Sequence, residues 1–140
     1  MSGSPLGKKV RWVNVSSDEY AELASEKGRA SFAEDFKVFL DESNYPIVFH
    51  CIAGADRTGT LACVLNGLLG VEEDLLHRDW QYTWTGRRNP VKAPERRWNS
   101  LMSAFKEHEG ATLNERIEKY VMSCGFTPED IVRFRSLMLE

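Results

Sequence analysis

The sequence predicts a single α/β domain, and three observations carry that reading. A short apolar, β-branched and aromatic run, Pro46-Ile47-Val48-Phe49, leads into a glycine-bearing loop from His50 to Thr60, and a helical apolar pattern from Leu61 to Gly70 follows. A second run, Val10-Arg11-Trp12-Val13-Asn14-Val15, alternates apolar and polar residues as a half-buried strand does. At 140 residues the chain can bury one substantial core but not two. Residues 1–8 are expected to be a flexible tail or an expression remnant, and 9–140 the folded domain.

Taken in order, the first strand ends at the turn-forming Ser16-Ser17-Asp18, which leaves Asp18 just past a strand end. Glu19 to Lys27 reads as a short helix or lid closed by Gly28. Ser31-Phe32-Ala33-Glu34 has the spacing of a capping box, so a helix is predicted over about 31–42 with Phe36, Phe39 and Leu40 on its apolar side. Asn44-Tyr45-Pro46 turns the chain into the central strand. Beyond the loop, a helix from about Thr58 to Leu69 ends at Gly70, and another opens with acidic residues near Glu72 and runs to about Trp84. A basic, Gly/Pro-punctuated loop, Gly86 to Pro94, precedes a helix carrying Trp98, Leu101, Met102 and Phe105. Thr112-Leu113-Asn114-Glu115 opens a helix that stops at Cys124-Gly125, and Thr127-Pro128-Glu129-Asp130 opens the last. The prediction is two strands and about six helices.

Composition narrows the function classes. Hydrophobic content of 42%, charged content of 28% and a net charge of -3 suit a globular domain with no basic surplus for nucleic acid or a polybasic membrane contact. An anion site must therefore be built locally. Three cysteines, Cys51, Cys63 and Cys124, form neither a complete disulfide framework nor a zinc spacing, which favours reduced thiols and a cytoplasmic setting. No run is long enough to span a membrane, and Met1 to Lys9 lacks the apolar core of a signal peptide.

The loop His50-Cys51-Ile52-Ala53-Gly54-Ala55-Asp56-Arg57-Thr58-Gly59 carries the chemistry. A free cysteine titrates near ~8.5, and a helix N-terminus with an arginine beside it lowers that to about 3.5–7.5. Cys51 is thus a candidate nucleophile. Arg57 can meet a phosphate with two parallel hydrogen bonds and oppose the charge that grows during transfer. The amides of Ile52, Ala53, Gly54, Ala55, Asp56 and Arg57 are candidates for binding its oxygens. Gly54 permits the backbone turn and Gly59 a close helix approach. Thr58 is placed to donate its hydroxyl to the thiolate, and His50 to orient the loop through backbone hydrogen bonding.

This pattern, His50-Cys51-x-x-Gly54-x-x-Arg57-Thr58-Gly59, resembles the signature of the cysteine-dependent protein tyrosine phosphatase superfamily. Cys-x-Ala-Gly-x-Asp-Arg-Thr-Gly is most similar to its bacterial tyrosine and dual-specificity subgroup, some of which act on lipid phosphates. The resemblance implies a phosphatase-like sheet with flanking helices, a central strand leading into the C-x5-R loop, a phosphocysteine on Cys51, phosphate held by Arg57 and the loop amides, and no cofactor or metal. It also implies an aspartate acid. Asp56 matches the subgroup by motif, whereas Asp18 matches the superfamily's mobile acid loop by its placement after a strand.

Two departures qualify the resemblance. Ala55 stands where the subgroup usually has lysine, which makes phosphoinositides and inositol phosphates less suited as substrates unless Arg87, Arg88, Lys92, Arg96 or Arg97 supplies the charge. The superfamily also has several strands before the acid loop, and only seventeen residues precede Asp18 here. N-terminal strands are therefore expected to be missing or to come from a second copy or a complementing chain. The substrates implied are a phosphorylated protein or a small phosphomonoester. A non-catalytic phosphate-binding module and a redox-sensing thiol are the alternatives. Cys63 and Cys124 read as small buried hydrophobes, His77 and His108 as surface residues, Trp80 and Tyr82 as packing groups, and Asp18 equally as a turn residue.

Overall fold

A computed structural model describes residues 7–83 and 93–139, and among them every regular element is helical. A 3-10 turn, Tyr20–Ala24, leads into α1, Glu26–Phe39, and a second 3-10 turn, Glu42–Asn44, follows. Then come α2, Asp56–Leu68; α3, Glu73–Tyr82; α4, Ala93–Ser103; α5, Leu113–Ser123; and α6, Pro128–Met138. The expected α/β sheet is absent among these residues.

Both predicted strands are extended segments without a ladder. They lie side by side through side chains: the Trp12 and His50 rings are 5.8 Å apart, and Arg11 reaches Asn44 and, at 3.7 Å, Asp41. Yet none of the backbone hydrogen bonds outside helices joins the two segments. Strand pairing depends on aligned donors and acceptors on another segment, so local pattern can promise extension without delivering a sheet. The burial expected of these runs fails with it. Val48 is 75% exposed, and Val10, Val13 and Phe49 are exposed too; Ile47 packs on the core, and Phe49 lies edge-on to Phe39 at 5.6 Å.

The core lies between helices instead. Phe36 of α1 stacks on Phe32 and meets Phe126 and Phe134 at 4.8 and 5.2 Å, while Tyr120 of α5 packs edge-on to Phe32 and Phe105. Each fully buried aromatic or aliphatic side chain contributes about 1.5–3 kcal/mol relative to exposure. Val64 and Leu68 put the apolar face of α2 into this core, where α2 packs on α3 and α5. Asn114 donates from its side-chain amide to the carbonyls of Gly67 and Val71, tying down the C-terminal end of α2. The N-terminal end of α2 is thereby held in place at the surface.

Helix starts follow the sequence where the cap is local. Thr127 and Asp130 form the reciprocal capping box of α6, and Thr112 accepts from the Glu115 amide at α5. α1 is the exception. It starts at Glu26 with Ser25 as its cap, so Ser31 lies inside the helix rather than at its start. Gly28 does not end a segment; a Cβ there would stand 2.1 Å from the Glu22 carbonyl oxygen, and its absence lets the first 3-10 turn lie directly on α1. The predicted loop from Gly86 falls largely outside the described residues, as do Trp84, Arg87, Arg88 and Lys92.

Candidate active site

Cys51 ends the second extended segment and Asp56 begins α2, leaving four residues to turn the chain onto a helix axis. Gly54 makes the turn with φ +66, a left-handed conformation that other residues adopt at a cost. The turn brings the amides of Ala53 and Gly54 back to the Cys51 sulfur, and the Thr58 amide, in the first turn of α2, joins them. Ala55, the α2 cap residue, offers no side-chain cap bond, so that helix end keeps donors for an anion. Ala55 is also buried, at 1% exposure, while Ile52 stands almost wholly in solvent.

The thiol is poised by this setting. Burial raises its pKa, but hydrogen bonding from the Thr58 hydroxyl and from the Thr58, Ala53 and Gly54 amides outweighs burial and draws it down to about 7. Thr58 Oγ1 is buried, and the Cys51 sulfur is the acceptor its hydroxyl faces. His50 Nδ1 lies 3.2 Å from the Cys51 carbonyl oxygen. Gly59, one turn further on, faces Trp80, whose ring a Cβ there would meet at 3.3 Å. By contrast, burial, with Asp79 and Glu73 adding to it, pushes Cys63 up to about 12, which makes it an inert core thiol and a poor redox partner. Cys124 is also raised by burial.

Around the loop stands a cluster of carboxylates and cations. Asp56 Oδ1 accepts a hydrogen bond from the Tyr20 hydroxyl and pairs with Arg97 at 3.3 Å. Tyr20 adopts φ 55, in the left-handed region, which aims its ring at Asp56 and edge-on to Trp80 at 5.8 Å. Burial first, and then the hydrogen bond to Asp56, hold its phenol well above the ordinary range. Arg97 lies over the Tyr20 ring at 6.0 Å. Arg57 Nε is 3.9 Å from Glu19 Oε2. Burial and the Asp56 carboxylate raise the Glu19 carboxyl against the opposing pull of Arg57.

Asp18 behaves differently. Its Oδ1 accepts from Lys27 Nζ at 2.9 Å, its backbone amide donates to Ser31, and its Oδ2 is enclosed without a partner. It lines a small cleft with Ser17, Asp35, Thr60 and Arg57. Cys51, Thr58, Arg57 and Asp56 thus gather at the helix end, and Asp18 shares the adjoining cleft with Arg57. Glu19 and Tyr20 were not singled out from sequence; adjacency to Asp18 was the one available signal. Gln81 donates to Glu95 and Trp80 is buried, as a packing group should be, whereas Tyr82 is 68% exposed. Among the described residues no group of three His, Cys, Asp or Glu side chains could hold a metal ion.

Fold and site together define a helical domain that presents an activated thiol and an arginine at one helix N-terminus. The chain matches the tyrosine phosphatase family over residues 8–140 and belongs to it. No curated protein and no solved structure matches the chain. No helix among the described residues is long and apolar enough to cross a membrane.

Proposed function

We propose that this family member hydrolyses phosphomonoesters of the phosphotyrosine type through a phosphocysteine on Cys51. The observation that carries the reading is the thiol at about 7, ringed by the amides of Ala53, Gly54 and Thr58, with Arg57 on the same helix turn. Sγ attacks phosphorus, the loop amides and Arg57 take the equatorial oxygens, and a carboxyl beside the clamp protonates the leaving oxygen. Asp56 and Asp18 are the two carboxyls the motif and the spacing nominate. Thr58 then supports the thiolate as it leaves in the second half-reaction, and His50 steadies the loop. Phosphorylated protein or a small aryl phosphate fits this site better than a polyphosphorylated lipid, because Ala55 brings no charge to the loop.

The test is p-nitrophenyl phosphate turnover by wild type, Cys51→Ser and Arg57→Lys, with phosphate binding measured alongside. Cys51→Ser should abolish turnover while retaining phosphate binding. Arg57→Lys should lose about 10²–10³-fold in kcat, the usual cost of one electrostatic donor. Wild-type phosphate binding without turnover would reject hydrolysis and leave a binding module.

A further inference from the structure

We infer that Tyr20 is a positioning residue for the reaction, its hydroxyl fixing the Asp56 carboxyl that serves the leaving oxygen. The inference rests on the phosphatase reading above and adds to it a residue that acts through one of the two nominated aspartates. Tyr20 bonds α2 twice: its hydroxyl donates to Asp56 Oδ1, and its backbone amide donates to Thr60 Oγ1 at 3.4 Å, one turn further along the helix. It does so at φ 55, in the left-handed region that residues with side chains rarely adopt. Such a conformation persists where the surroundings over-determine it, and it gathers at functional sites. Here the ring is held by buried Trp80, edge-on at 5.8 Å, and by the Arg97 guanidinium, 6.0 Å from its centroid. Trp80 also faces Gly59 of α2, so the ring and the helix that carries Asp56 share one support.

The anchoring suits a carboxyl that must give and take a proton. Arg97 also pairs with Oδ1, at 3.3 Å, so both anchors fall on the same oxygen and leave Oδ2 to carry the proton. A carboxyl oxygen accepts a hydroxyl's bond whether or not its neighbour is protonated, so the Tyr20 anchor holds through the whole cycle. In the first half-reaction the S–P bond forms as the P–O bond breaks, and the departing oxygen keeps the electron pair and takes the proton from Oδ2. In the second, water attacks phosphorus and returns a proton to Oδ2, while the S–P electron pair goes back to Cys51. A misplacement of about 1 Å in a reacting group costs about 10²-fold in rate, which gives the strained backbone at Tyr20 a functional reason.

The experiment compares wild type, Tyr20→Phe, Asp56→Asn, the double variant of these two, and Asp18→Asn in the full chain on two aryl phosphates. One leaving group is as basic as tyrosine, about 10, and the other is an acidic dinitrophenol that departs without a proton. Tyr20→Phe keeps the ring on Trp80 and removes only the hydroxyl. It should lose about tenfold or more in kcat on the first substrate, stay within about twofold on the second, and leave KM unchanged on both. The basic limb of its pH profile should move to higher pH, because the Asp56 carboxylate loses a donor while Glu19 and Arg97 still face it and Arg57 follows it on α2. In the Asp56→Asn background, Tyr20→Phe should cost nothing further. Tyr20→His, which keeps a donor on a smaller ring, should fall between wild type and Tyr20→Phe, and carries the test if the phenylalanine variant does not fold by circular dichroism. Equal losses on both substrates, an unmoved pH profile, a further loss on top of Asp56→Asn, or a selective loss in Asp18→Asn instead of Asp56→Asn would overturn the assignment. A wild type inactive on both substrates would remove the phosphatase reading and this inference with it.

Discussion

Replacing Thr58 with valine isolates the hydroxyl's share of the thiol's activation. Valine keeps the shape and the backbone amide, and so removes one donor from a sulfur that also receives three amides. A hydrogen bond to a charged group is worth about 1.5–3 kcal/mol, and the lower end applies because Cys51 is partly solvated. At about 1.4 kcal/mol per unit, the thiol should rise by about one unit, from about 7 towards about 8. The sign is set by the thiolate: its fraction at pH about 7 falls from about one half to about one tenth, the loss at pH about 6 is about tenfold, and the two proteins converge above pH about 9. Iodoacetamide alkylation of Cys51, followed by mass spectrometry across this range, reads the midpoint directly, and Thr58→Ser should restore it. An unchanged midpoint in Thr58→Val, or a wild-type midpoint near the free-cysteine value of ~8.5, would refute the cradle as the source of reactivity.

Two further outcomes test the scaffold. Gly28→Ala should destabilise the domain by about 1–3 kcal/mol in urea unfolding, because its Cβ would meet the Glu22 carbonyl and force the 3-10 turn off α1. Asp35 has its carboxyl raised by burial, with the Ser17 hydroxyl acting in the opposite direction, so its native form holds a proton more tightly than the unfolded form does. Its contribution is therefore present at acid pH and lost as pH rises through the native pKa. Asp35→Asn should raise the melting temperature near neutral pH and flatten that part of the pH–stability curve. A lower melting temperature there would show that the ionised carboxylate is needed by its neighbours.

One short stretch borders the loop: Glu19, just before the first 3-10 turn, reaches Arg57, and Tyr20, the first residue of that turn, reaches Asp56. Tyr120 of α5 donates its hydroxyl to the Leu23 carbonyl of that turn, so the aromatic core sets where the turn sits over the loop. A change in core packing at Tyr120 would reach the site through this contact.

What the sequence determined by itself is the part governed by near neighbours. The C-x5-R loop, the positive φ at Gly54 and the caps at Thr112 and Thr127 each depend on residues within one helical turn, and each is present in the structure. What only the tertiary structure decided depends on distant partners. The apolar runs at Val10 and Pro46 have the residues of strands, but pairing needs a second backbone in register, and helices occupy the core that would have covered a sheet. Ser31 has a cap's spacing, yet Gly28 lets the turn pack on α1 and moves the helix start back to Ser25. Arg97 reaches Asp56 from α4, and Glu19 reaches Arg57 from before α1. Charges far apart in the chain meet only when packing brings their elements together, and no local pattern records that meeting.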